Sequence, residues 1–409
     1  MSKPTPRGAE GPIWVLVLAL FGLGVASLAG SFFGDSPPAT AVLSDNESSA
    51  EPEDNADTEN ASPIDAPSPN AVPTRADRFT ISASGDILIH ERVAEAAATP
   101  TGYDFSPLFA PVQNLIASRD FAICHLEVPI SSTNDDLSFS NGVFRAPTEL
   151  AAALKAAEFD TCSVASNHSW DSGEASVIST VAELQAVGLS HVGIANTPEE
   201  AEKLWQFNVL GNIVGHLSYT FGLNGRDIGE VPTTRVAQID EQAILADAER
   251  QRAAGSEFTV VSLHWGDEMV NDLSEQQAEL GPRLLASPFI DLIVGHHAHV
   301  PQRVEEIDGE YIAYGLGNFL SNQSMFAPEC PNDCALDSQD GVLLDFVVER
   351  NTDGQLEVTE VIANPTWVDV GGTWKIISTD NPPAVGAIID PSTLQESGRR
   401  TRDTLGIDS

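Results

Sequence analysis

An α/β fold is what this 409-residue chain predicts, and three observations predict it. Short β-rich runs alternate with helical patterns between Phe79 and Val294, which argues for a sheet flanked by helices. Hairpin-like runs follow from Arg303 onward and predict a second sheet packed against the first. Seven of the nine histidines lie in short segments at the ends of such runs, where open α/β sheets place their ligands.

The elements follow in order. Residues 1–11 carry Lys3 and Arg7 and precede an apolar run from Pro12 to Phe33, about 22 residues and long enough to span a bilayer. A signal-peptide core spans only about 7–15 residues, so residues 12–33 read as a retained transmembrane signal anchor. The positive-inside rule puts residues 1–11 in the cytoplasm and everything after Asp35 outside, on a single-pass protein of the cell membrane. Cleavage after Ala41, in Ala39-Thr40-Ala41, stands as the alternative. A lipoprotein is excluded, because Ser31 occupies the place of the lipid-bearing cysteine in Leu28-Ala29-Gly30-Ser31.

Residues 34–78 are rich in Ser, Pro, Ala, Asn and acid, and cannot bury enough to fold; they read as a disordered acidic linker. The folded domain is expected over residues 79–380. Its strands are predicted at Phe79–Gly85, Phe121–Cys124, Phe159–Ala165, Phe258–Leu263 and Ile290–Val294, and its helices at Thr148–Glu158, Ala175–Val187, Arg235–Ala254 and Ser274–Ala286. The second sheet would take Arg303–Ile307, Tyr311–Tyr314, Val342–Glu349 and Leu356–Ile362, the first two joined by the turn Asp308-Gly309. Residues 381–409 contain Pro, Ser and Arg and read as a flexible C-terminal tail.

Charge narrows the function. The net charge is −40, and after residues 1–78 are set aside 16 bases face 49 acids, leaving −33 on the remainder. Such a surface excludes nucleic acid, whose phosphates need a basic face. It also resists a polyanionic substrate except where metal ions reverse the local field. Four cysteines fit an exported protein weakly. Cys330 and Cys334 could close a small disulfide, whereas Cys124 and Cys162 read first as small buried hydrophobes on neighbouring strands and only second as a disulfide or ligands.

The candidate site is a constellation. Asp86 and Glu127 are carboxylates at the ends of separate strands, Asn167 supplies an amide oxygen, and His264, His296, His297 and His299 supply ring nitrogens. One carboxylate shared by two cations, with Asn and His completing the shells, is a dinuclear site; ions about 3.5–4 Å apart activate water and stabilise both attacking and leaving oxygens. His168, next to Asn167, is the candidate catalytic acid. Three histidines in four residues, Gly295-His296-His297-Ala298-His299, are rarely structural.

The series Gly85-Asp86-Ile87, Leu126-Glu127 with Pro129-Ile130, Ser166-Asn167-His168 with Asp171 and Gly173, His264-Trp265-Gly266 with Glu268, Gly295–Gln302, and Tyr314-Gly-Leu-Gly-Asn318-Phe319 resembles the CapA family. These are bacterial capsule and poly-γ-glutamate synthesis proteins with a calcineurin-like metallophosphoesterase fold, and the resemblance runs from about Phe79 to Phe319. It implies an α/β (α+β sandwich) fold: two packed mixed β-sheets flanked by helices, the four-layer αββα arrangement of metallophosphoesterases. It implies Asp86, Glu127, Asn167, His264, His297 and His299 as ligands of two divalent ions (Mn, Fe or Zn) and His168 as the acid. His90, separated from Asp86 by three residues where the usual Asp-x-His opening has one, His125, which stands where the family usually has Asn, and His296 are additional candidates. Period-2 geometry puts His125 and Glu127 on the same face of their strand. The function this implies is an anchored, extracytoplasmic metal-dependent hydrolase for capsule or poly-γ-glutamate biosynthesis or export. The alternative is a non-catalytic, metal-stabilised subunit of that machinery. Partners would be the membrane, synthase subunits and an anionic polymer.

Overall fold

A computed structural model describes residues 75–140, 142–226, 236–325, 327, 334–382 and 389–407. The anchor, nearly all of the linker, and Cys330 lie outside the described residues. Among the described residues no helix is long and apolar enough to cross a membrane.

Two mixed sheets face each other. The first has the order Ile376–Ser378, Leu356–Val368, Asp340–Arg350, Arg78–Ile87, Phe121–Leu126, Thr161–Ser163, Ser190–Val192, with Asn318–Leu320 also paired to Arg78–Ile87. The second has the order Val304–Ile307, Glu310–Ala313, Leu292–His296, Phe258–His264, Asn212–Thr220, Gln206–Val209. Alternation along each strand explains the layers. Phe79, Ile81, Phe121, Ile123, Leu344 and Phe346 of the first sheet meet Val214, Phe258, Val260 and Val294 of the second in one apolar layer. The opposite face of the first sheet, with Cys124, Leu126 and Cys162, carries the helices Glu91–Ala97, Glu149–Ala156 and Glu174–Ala186. Leu263, Ile293 and Ile312 of the second sheet carry Glu241–Ala253 and Glu275–Leu285 through Ile244, Leu280 and Leu284. The result is four layers, helix–sheet–sheet–helix.

Most predicted strands and helices form close to their expected ends, but the helix expected from Arg235 begins only at Glu241, the strand expected to end at Ile362 runs on to Val368, and the division of strands between sheets differs from expectation. Phe258–His264 and Leu292–His296 belong to the second sheet, beside the 304–313 hairpin, whereas Asp340–Arg350 and Leu356–Val368 complete the first. Asp340–Arg350 pairs antiparallel along Arg78–Ser84, with Phe346 opposite Ile81. Both strands carry the same inward alternation, so nothing in the sequence separates partners from strangers. The tail is a second correction. Residues Pro391–Leu405 form a helix, started by the Asp390 side chain on Ser392 N–H and ended by Gly406 in the left-handed region. Its buried residues, Leu394, Ser397, Gly398, Thr401 and Leu405, recur at helical spacing, and Arg400 pairs with the buried Asp340.

A third correction concerns the cysteines. Cys124 and Cys162 are register partners on adjacent parallel strands, as expected of neighbours, but they are joined as a disulfide across a Cα separation of 4.4 Å.

Candidate metal centre

The strand Arg78–Ile87 delivers Asp86 to the inter-sheet space through an irregularity. Phe79, Ile81 and Ala83 face the second sheet; the register with Phe121–Leu126 then shifts between Ala83 and Asp86, so Asp86 faces inward while Ile87 packs outward. Gly85 permits this, because a β-carbon there would collide with the carbonyl of Gly317. Gly295 is equally confined: a β-carbon would strike the carbonyl of Tyr314. Directly after it, His297 and His299 adopt φ of 89° and 57°, in the left-handed region that histidine rarely occupies. His297 N–H donates to Asp86 Oδ2 at 3.1 Å, and Met269 N–H donates to the Ala298 carbonyl at 2.8 Å, which hold the turn.

The side chains converge where both sheets end. His299 Nδ1 lies 3.0 Å from Asp86 Oδ2, His296 Nδ1 lies 3.3 Å from Asp86 Oδ1, and His299 Nε2 lies 3.5 Å from Glu127 Oε1. His264 Nε2 lies 3.0 Å from Asn167 Oδ1 and 3.9 Å from Glu127 Oε1. Two compact donor groups result, Asp86 with His125 and His296, and Glu127 with His297 and His299. Asp86, Glu127, Asn167, His264, His297 and His299 thus come together, with His125 and His296 beside them. His90 does not join either group: its ring meets Phe144 edge-on at 5.4 Å and its Nδ1 faces the Asn322 N–H at 3.4 Å. The Asp-to-His spacing has carried it past the centre.

All of these groups are buried, and burial sets their charge. Burial holds His125 and His264 well below the ordinary imidazole range, and His297 down at about 3, so they present lone pairs. Burial also pushes Glu127 well above the carboxylate range, opposed by His299. For Asp86, burial is outweighed by the His296 and His299 contacts, which hold it well below that range. His299 is the exception among the imidazoles: burial works against its proton, but Glu127 and Asp86 raise it to about 10.

Do these residues fit a cation? Asp86 Oδ1, both Glu127 carboxylate oxygens, both His296 ring nitrogens and His297 Nδ1 are buried without a hydrogen-bond partner. Buried polar atoms in folded proteins are almost always satisfied, and an unsatisfied carboxylate oxygen is costly. Clustered, unpartnered carboxylate oxygens and imidazole nitrogens are the donor set of a divalent metal. The residues fit.

Beside the donors stands a second group. His168 Nδ1 lies 2.9 Å from Asp171 Oδ2, and Arg226 Nε lies 3.3 Å from Asp171 Oδ1. Phe144 N–H donates to the same carboxylate at 2.7 Å, and the Phe144 ring stands edge-on to His168 at 4.7 Å. Asn224 bridges, accepting from Asn167 Nδ2 at 3.2 Å and lying 3.5 Å from His168 Nδ1. Asn224 and Arg226 escaped sequence reasoning, because the loop after Asn212–Thr220 carries no metal-site pattern of its own. Asn318, which braces His299, was legible only as a member of the last motif.

A family model described as bacterial capsule synthesis protein PGA_cap matches residues 80–323. The chain is similar to the PGA biosynthesis protein CapA of Bacillus subtilis, 25% identical over 287 residues, spanning 70% of this chain and 72% of that protein. It is similar also to the capsule biosynthesis protein CapA of Bacillus anthracis, 25% identical over 253 residues, spanning 60% of this chain and 61% of that protein. Among solved structures, the calcineurin-like phosphoesterase YfkN of Bacillus subtilis superposes with a TM-score of 0.42 at 12% identity, over 80% of this chain and 97% of that one. The NAD nucleotidase of Haemophilus influenzae superposes with a TM-score of 0.43 at 12% identity, over 81% of this chain and 64% of that one.

Proposed function

The chain belongs to the bacterial capsule synthesis protein PGA_cap family, and from that premise we propose that it is an anchored, extracytoplasmic metal-dependent hydrolase. It would serve capsule or poly-γ-glutamate biosynthesis or export and cut a phosphate ester or a link in a cell-envelope polymer. The observation that carries the proposal is the set of buried, unpartnered carboxylate oxygens and imidazole nitrogens lying beside a His168–Asp171 pair.

Two divalent ions (Mn, Fe or Zn) would be held by Asp86, Glu127, Asn167, His264, His297 and His299; neither Glu127 carboxylate oxygen has a hydrogen-bond partner. When bound, the ions would supply Lewis-acid polarisation and an activated water. The chain's own residues do the rest. Asp171 accepts from His168 Nδ1–H and so aims Nε2 away from itself, where the imidazolium form gives its Nε2 proton to a leaving oxygen and returns to neutral imidazole. Arg226 and the Phe144 N–H hold the Asp171 carboxylate in place. Near-complete burial of the centre excludes bulk water and strengthens each electrostatic contact.

The Cys124–Cys162 disulfide supports an oxidising compartment, in keeping with an anchor at residues 12–33 and a domain outside the membrane. Synthase subunits and an anionic polymer are the proposed partners. The same burial favours a second reading, in which the metal braces a non-catalytic subunit of the synthesis and export machinery: Glu127 and His264 are 1% and 0% exposed. The full chain, purified in detergent and loaded with Mn²⁺, Zn²⁺ or Fe²⁺, should turn over aryl phosphates or γ-glutamyl peptides. His168→Ala should lower turnover on the order of 10²–10⁴-fold with metal content unchanged. Bound metal without turnover on any substrate leaves the second reading.

A further inference from the structure

Four buried side chains form a series that crosses from one sheet to the other. Ser163 Oγ lies 2.8 Å from His125 Nδ1, His125 Nε2 lies 2.9 Å from His264 Nδ1, and His264 Nε2 lies 3.0 Å from Asn167 Oδ1. Ser163 Oγ also reaches the Cys124 carbonyl at 3.3 Å. His125 and His264 are fully buried, so water does not complete their bonding.

A neutral imidazole has one N–H and one lone pair, which leaves the series two self-consistent proton arrangements. In the first, Ser163 donates to His125, His125 Nε2–H donates to His264 Nδ1, and His264 Nε2–H donates to Asn167 Oδ1. In the second, the Ser163–His125 and His125–His264 bonds reverse. Ser163 donates to the Cys124 carbonyl, His125 Nδ1–H donates to Ser163, and His264 Nδ1–H donates to His125 Nε2. The lone pair of His264 Nε2 then faces Asn167 Oδ1 and Glu127 Oε1, at 3.0 and 3.9 Å. A cation held among these atoms satisfies that junction.

We infer that His125 is a positioning residue and not a ligand: by accepting the Nδ1–H of His264 it turns the His264 Nε2 lone pair toward the cation that Asn167 and Glu127 would share. The inference rests on the metal reading above. His125 belongs to the Asp86 and His296 donor group by proximity, but both of its nitrogens are already engaged, at 2.8 and 2.9 Å. His296 offers the contrast: neither of its nitrogens has a hydrogen-bond partner, and its ring lies flat on His125 at 4.0 Å and 10°. That stack fixes the plane in which His125 presents Nε2. Partners of this kind on ligating histidines typically contribute 10–100-fold in metal affinity.

The test uses the full chain in detergent, stripped with chelator and titrated with Zn²⁺ against a competing indicator, with ion number at saturation taken by elemental analysis. His125→Ala should bind the same number of ions roughly 10–100-fold more weakly. His125→Gln, whose side-chain carbonyl can stand where Nε2 accepts, should recover most of the affinity. Ser163→Ala should weaken binding in the same direction, and together with His125→Gln it carries the test if His125→Ala does not fold. Fewer ions at saturation in His125→Ala would make His125 a ligand and overturn the inference. Unchanged affinity in His125→Ala or Ser163→Ala would overturn it too, as would a Gln variant no better than Ala. A wild-type chain that binds no Zn²⁺ would overturn the metal reading itself.

Discussion

Asn318 grips His299 from two sides. Its Oδ1 lies 3.1 Å from His299 Nδ1, and its amide donates to the His299 carbonyl at 3.1 Å. The same amide reaches the Ser338 carbonyl and Gln323 Oε1, each at 2.8 Å, which ties the grip to the loop that follows. His299 sits at φ 57°, so its ring direction depends on such braces more than an extended residue's would. Asn318→Ala should lower metal affinity roughly 10–100-fold, read by competition with a chelator. Unaltered affinity would mean that Asp86 alone orients the ring.

His264 separates a metal centre from a packed core. Its ring is fully buried, yet each nitrogen faces a polar neighbour, His125 or Asn167. His264→Ala should reduce bound metal while the melting temperature, taken in chelator so that metal does not contribute, falls only modestly. A large drop in stability with unchanged metal content would assign His264 to packing instead.

Asp171 holds His168 without touching either donor group, so its effect should fall on turnover alone. Asp171→Asn keeps the shape but favours the wrong imidazole tautomer. Activity should fall on the order of 10²–10⁴-fold with metal content intact, and His168→Ala should fall comparably. Loss of metal in step with activity would argue against a separate acid.

Much of this was legible because chemistry concentrates where strands end. Asp86, Glu127, Asn167, His264 and His299 each follow a β-rich run, so position and residue type agree. The parity of His125 and Glu127 also follows from strand period alone. What failed was pairing. Ile81 and Phe346 are register partners 265 positions apart, and alternation reports a face, never a neighbour. The 391–405 helix was missed because its buried stripe is built largely from Ser397, Gly398 and Thr401, which do not register as apolar. The Cys124–Cys162 bond needed a register that only the folded sheet supplies.

Far from the metal centre, Asp291 decides between two opposed forces. Its carboxylate accepts from Arg252 and from Thr259 N–H, both at 2.6 Å, which favours ionisation. Burial is the larger effect and lifts the group from 3.8 to about 6. Glu310 nearby is lifted to about 7, by burial and then by Asp291. The sign follows from proton counts. Between about pH 4 and pH 6 the folded chain holds the Asp291 proton more tightly than the unfolded chain does. Raising the pH through that window therefore costs stability, which is fullest below it and levels off above it. Asp291→Asn keeps an acceptor for Arg252 and Thr259 but removes the titration. Near pH 4 the variant and the wild type should melt alike; toward pH 7 the variant should gain on the wild type, by roughly 3 kcal/mol. Melting curves of both proteins from pH 4 to pH 8 measure the difference. A wild type that gains on the variant as pH rises would mean that the Arg252 ion pair, not burial, governs Asp291.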